Sequence, residues 1–119
     1  MAGYTNAGKI AALTGLGTAA KFVSLHGSDP GTTGAGELTG GTPTYARASA
    51  TWTTPSADTL ALSNQPTFNV PGGSTVSYVG FWSAATAGDL LWSRPLPNSE
   101  VYAGQGTYTL LSASETMST

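Results

Sequence analysis

TVSYVGFW, residues 75–82, is the stretch whose reading decides the fold. Val76, Tyr78 and Trp82 alternate with Ser77, Val79 and Phe81, so a strand here has both faces largely covered. Upstream, Thr67–Val70 forms a shorter strand that Pro71-Gly72-Gly73 must end. Thr59–Leu62 precedes it, after a turn at 54–58. Further back, TYARASATW at 44–52 places Tyr45, Arg47, Ser49 and Thr51 on one face and Ala46, Ala48, Ala50 and Trp52 on the other. Lys21–Leu25 is a short β-prone run. Downstream, Asp89–Ser93 is a strand closed by Pro95 and Pro97, and Gln105–Ser112 is the last. About seven short strands separated by turn residues predict a mostly β fold: a small antiparallel β-sandwich or jelly-roll-like barrel.

The only helix candidate is Thr5–Ala20, with Thr5 or Asn6 as cap, Ile10 and Leu13 at helical spacing, and Gly15–Gly17 as the stop. One domain spans 1–119: an N-terminal arm or short helix over 1–20, a β domain over 21–112 and a polar tail over 113–119. The expected core is Phe22, Val23, Leu25, Trp52, Leu60, Leu62, Phe68, Val70, Val76, Val79, Phe81, Leu90, Leu91 and Leu110.

Composition narrows the function. Charged residues are 8% of the 119, against about 25% in ordinary soluble domains. Net charge is −2 and apolar residues reach 39%, so charge repulsion does not disorder the chain. A neutral, hydroxyl-rich surface suits a protein held in a fixed multi-copy assembly. Four basic residues cannot build the stripe that phosphate neutralisation needs, so no nucleic-acid partner is expected. No apolar run approaches the ~20 residues of a membrane span, and Met1–Lys9 lacks the features of a signal peptide, so no membrane partner is expected either. With no cysteine, neither disulfides nor thiolate metal sites are available.

The second informative stretch is SLHGSDPGTTGAGELTGGTPTYAR, residues 24–47. So long a segment, with six glycines and two prolines and no strand or helix pattern of its own, is functional or an assembly contact more often than a plain connection. Asp29-Pro30-Gly31 is a turn, and Leu25 and Tyr45 anchor the two ends in the core. Arg47 is expected to meet Glu37 or a backbone carbonyl.

The wording of 24–47, of Trp52, and of TVSYVGFWSAATAG at 75–88 resembles a family of small virion proteins from tailed phages of actinobacteria. These carry tail fibre, head fibre or decoration labels and share a pattern of the form SLHxxDPGxxGxxEvxGGxYAR. The resemblance covers about Lys21 to Leu96. It departs at Thr42-Pro43-Thr44, an insertion, and at Gly27, where a small polar residue is usual. It implies a structural virion protein.

Chemistry-bearing residues are few. His26 is the only histidine, with Ser24, Ser28 and Asp29 beside it. Neighbours on one loop do not orient a catalytic triad, so His26 is read as a turn residue bonded to the glycine loop, and no catalysis is expected. Asp29 and Glu37 are too few and too far apart in the chain for a calcium loop. GTTGAG at 31–36 lacks the Lys-Ser/Thr of a phosphate loop. No metal or cofactor is expected. Trp92 and Tyr102, next to turns, are the aromatics expected to be exposed, for subunit or sugar contacts.

The reading is a non-enzymatic structural protein of a tailed-phage virion, an externally displayed capsid decoration or head-fibre subunit assembled in the host cytoplasm. A chain of this length has no room for both a fibre shaft and an attachment domain. Alternatives are a minor tail or tail-fibre subunit, or a carbohydrate-binding module adhering to host glycans. The expected partners are other copies of the chain, as a trimer, and the major capsid protein or a tail protein. Candidate assembly-loop residues are His26, Asp29, Gly31, Glu37, Tyr45 and Arg47.

Overall fold

A computed structural model describes residues 5–56 and 58–116. It is mostly β, with antiparallel pairing throughout and one helix. The helix, α1, spans Asn6–Ala19, and Thr5 Oγ1 caps it by accepting the Gly8 amide at 3.1 Å. The expected stop at Gly15–Gly17 does not occur. A Cβ on Gly17 would lie 3.2 Å from Leu60 and 3.5 Å from Trp52, so this glycine is where the helix lies against the β domain. The helix ends instead at Ala20, whose amide bonds to Leu16 and whose carbonyl accepts the Trp52 indole N–H at 2.8 Å.

Eight strands follow: β1 Phe22–His26, β2 Ala48–Ser49, β3 Thr59–Ala61, β4 Thr67–Val70, β5 Ser74–Trp82, β6 Leu90–Tyr102, β7 Gly106–Thr109 and β8 Ser114–Thr116. A four-stranded sheet has the order β2-β1-β5-β6, and β3-β8 and β4-β7 are separate pairs. Three boundaries differ from expectation. The run 44–52 contributes only Ala48 and Ser49 to the ladder, because Tyr45, Arg47 and Trp52 are engaged through their side chains. Strand β6 continues past Pro95 and Pro97, which it can do at the edge of its sheet, where missing N–H groups are tolerated. Ser114–Thr116, expected within a polar tail, instead pairs with β3 and satisfies that strand's main chain. Residues 117–119 of the expected tail lie outside the described residues.

The core lies between the four-stranded sheet and β4-β7. Val23, Leu25, Val76, Val79 and Phe81 meet Phe68, Val70 and Leu110 there. Strict alternation would put Val76 opposite Val79. The β5–β6 register shifts between Val76 and Tyr78, whose partners are Glu100 and Pro95, so four β6 residues bulge opposite Ser77. Val76 and Val79 are both buried in the core, on either side of this irregularity. Leu13, Leu38 and Trp82 are buried although absent from the expected core, while Phe22, Trp52, Leu62, Leu90 and Leu91 are only half-buried.

Candidate functional site

The second face of the sheet is built by period-two alternation. In β1, Val23 and Leu25 face the core, so Ser24 and His26 face away from it. Both are nonetheless fully buried, because residues 27–47 form a strap across them. The strap bonds to the free edge of β1 at Leu25, whose carbonyl accepts the Leu38 amide (3.1 Å) and whose amide donates to the Tyr45 hydroxyl (3.0 Å). Gly27 donates to the Gly36 carbonyl, closing the glycine-rich turn. Asp29 Oδ1 accepts the Gly31 amide at 2.9 Å, and Gly31 takes φ +60°.

Beneath the strap runs a chain of polar contacts. His26 Nδ1 lies 2.8 Å from the Ala35 carbonyl, which can only accept, so the proton sits on Nδ1. Nε2 is therefore an acceptor, and the Ser24 hydroxyl donates to it at 2.6 Å. The Trp82 indole N–H in turn donates to Ser24 Oγ at 2.7 Å. Gly80 makes room for this, since a Cβ there would lie 2.7 Å from Ser24 Oγ and 3.0 Å from His26 Nε2. Burial, the largest influence, pushes the imidazole below its ordinary pKa, and Arg47 adds to this. The Ala35 bond and the Glu37 charge oppose it.

Glu37 and Arg47 close the strap. The Arg47 Nε and Nη2 groups donate to the two Glu37 oxygens, both at 2.9 Å, the paired geometry that suits guanidinium and carboxylate. Nη1 donates to the Ala84 and Ala87 carbonyls at 3.0 and 2.8 Å, tying the strap to the turn after β5. The guanidinium lies 3.6 Å above the Trp82 ring centre. Glu37 also accepts the Tyr45 hydroxyl at 2.9 Å. Burial acts to raise the Glu37 pKa, but the Arg47 and Tyr45 bonds and the Arg47 charge outweigh it, so the carboxyl lies below its ordinary value. Burial drives the Tyr45 phenol strongly upward.

Of the residues singled out in the sequence, His26, Glu37, Tyr45 and Arg47 come together in this latch, while Asp29 and Gly31 form a separate exposed turn. His26 is a strand end, not a turn residue. Ser24 and His26 have the spacing of a nucleophile and base, but both are sealed from solvent and Asp29 does not join them. Among the described residues no group of three or more His, Asp or Glu could hold a metal ion. Trp92, expected to be exposed, is half-buried: its ring packs against Phe81 (4.3 Å, stacked) and Trp52 (5.5 Å), and its buried N–H has no partner. Tyr102 is half-buried and bonds to Glu100 and the Thr107 carbonyl. Sequence reading missed Gly80 and the Ser24–Trp82 contact, while Gly34 takes the positive φ, +82°, expected of the loop's glycines. A glycine inside a β5 run of large residues was the available signal for Gly80.

Comparison with known proteins places this geometry. Residues 11–118 match the family described as Podophage GP4 fiber I protein gp80. No curated protein matches the chain. The match takes in α1 from its second turn, every strand, the strap and the latch, and the chain accordingly belongs to this family of phage fibre proteins.

Proposed function

We propose that the protein is a non-enzymatic structural subunit displayed on the outside of a podophage virion, as a head-fibre or capsid-decorating subunit of a phage of actinobacteria. The observation that carries this reading is the fibre-family match across 108 residues, 11–118. Its chemistry supports it. The side chains that could react are engaged in holding the strap, and a serine–histidine pair with no solvent access cannot reach a substrate. A surface with 8% charged residues fits permanent contact with copies of itself, in a trimer, and with the head. The strap's exposed outer side, around Thr32, Thr33 and Thr39, supplies the docking surface, and the latch keeps it in one shape. A sugar-stacking role for Trp92 is not favoured, because one face of its ring is stacked on Phe81 and it also packs against Trp52.

Labelled antibody or difference density on intact particles tests the location. Density on the head supports the proposal; density confined to the tail overturns the head assignment, and absence from purified particles overturns the whole reading. Light scattering on protein released from particles tests the trimer.

A further inference from the structure

The strap is held to the sheet by side chains more than by a ladder. Its main-chain links to β1 are two, Gly27 to Gly36 and Leu38 to Leu25, which together make the isolated bridge between His26 and Glu37. The remaining hold is the polar chain Trp82–Ser24–His26–Ala35, the Glu37–Arg47–Tyr45 clamp, two bonds joining Gln105 to Thr42 and Pro43, and the packing of Leu38 and Tyr45 in the core. Segments with few ladder bonds open locally while the core stays closed.

The hydrogen-bond directions make this hold sensitive to protons. Because His26 Nδ1–H is committed to the Ala35 carbonyl, Nε2 must stay unprotonated to accept from Ser24. A proton on Nε2 reverses that bond. Ser24 Oγ would then accept from both Trp82 and His26, and its own proton would have no acceptor. The cation would also be formed where no water reaches it. The ionisable groups around His26 are Glu37, Tyr45 and Arg47 from the strap and Tyr78 across the ladder on β5. Glu37, the one anion among them, is already bound by both Arg47 and Tyr45.

We propose that the strap is an acid-released latch: protonation of His26 loosens residues 27–38 from β1 and uncovers the Ser24–His26–Trp82 face, while Tyr45 stays stacked on Phe68 and the β4–β7 pair remains folded. In the open strap His26 is hydrated and titrates near 6.5, whereas closure holds it lower. The sign follows. Closure is unaffected above about pH 6.5, and below that the opening equilibrium rises about tenfold per pH unit, until the closed-state pKa is passed.

The test is hydrogen exchange on the full chain between about pH 7.5 and 5, corrected for the intrinsic rate, combined with NMR titration of the single histidine. The expected result is that protection of the Gly27 and Leu38 amides, which link the strap to β1, falls below pH 6.5 by up to about tenfold per unit while the β4 and β7 amides hold. In His26→Gln the strap protection should be flat across that range. The imidazole should show the Nδ1–H tautomer at neutral pH and titrate below 6.5. Strap protection that does not change with pH in the wild type overturns the proposal, as does the same fall in His26→Gln. If the variant does not fold, an imidazole titrating at or above 6.5 in the wild type overturns it alone.

Discussion

Removing Arg47 should damage this protein more than any other single change on its charged surface. In Arg47→Ala, Glu37 keeps only the Tyr45 hydroxyl, the Ala84 and Ala87 carbonyls lose their donor, and Trp82 loses the guanidinium above its ring. Breaking a buried ion pair from one side costs about 3–5 kcal/mol. The Arg47 side chain is 8% exposed and that of Glu37 22%, so water can partly rescue the carboxylate and the lower figure, about 3 kcal/mol, applies. With a urea m-value near 1–1.5 kcal/mol/M, the unfolding midpoint should drop by about 2–3 M. Arg47→Lys keeps the charge but not the paired donors and should lose about 1–2 kcal/mol. A double-mutant cycle with Glu37→Gln should return a coupling of about 2 kcal/mol. A loss under about 1 kcal/mol for Arg47→Ala, or a cycle additive within about 0.5 kcal/mol, would refute the claim that this clamp holds the strap.

Other changes test the packing around it. Gly34→Ala would put a Cβ 2.4 Å from Trp82 at a φ of +82°, and should lower stability by about 1–3 kcal/mol in the same urea assay and raise exchange across the strap. Gly80→Ala would press on Ser24 and His26 and should shift the imidazole resonances as well as cost about 1–3 kcal/mol. Trp92→Ala should lose about 2–3 kcal/mol by calorimetry or denaturation, less than a fully buried aromatic, because the half-buried ring packs against the core at Phe81. Glu37, held below its ordinary 4.5, contributes stability that is present above that pH and lost as pH falls through the folded value. Urea midpoints near pH 6 and pH 3 should therefore differ more in the wild type than in Glu37→Gln.

The sequence by itself determined the β class, the positions of most strands and the two ends of the strap. Alternation and turn residues are local properties, and they located Thr67–Val70 to the residue and Ser74–Trp82 to within one. The Arg47–Glu37 pairing was also legible, because within the strap only Asp29 and Glu37 carry the opposite charge. What lay beyond it depended on contacts between distant segments. Gly17 stays helical because Leu60 and Trp52 come close to it, and a helix-stop rule sees neither. Val76 joins Val79 in the core against strict alternation, beside an irregularity in the β5–β6 pairing, and Ser114–Thr116 becomes a strand only because β3 has an edge to offer. Trp92 stands next to proline-rich sequence yet packs against Phe81 and Trp52. His26 looks like a loop polar residue, and Ser24 like an ordinary strand serine, until the strap crosses them. Burial of a polar side chain is decided by what covers it, and here the cover arrives from ten to twenty residues further along the chain.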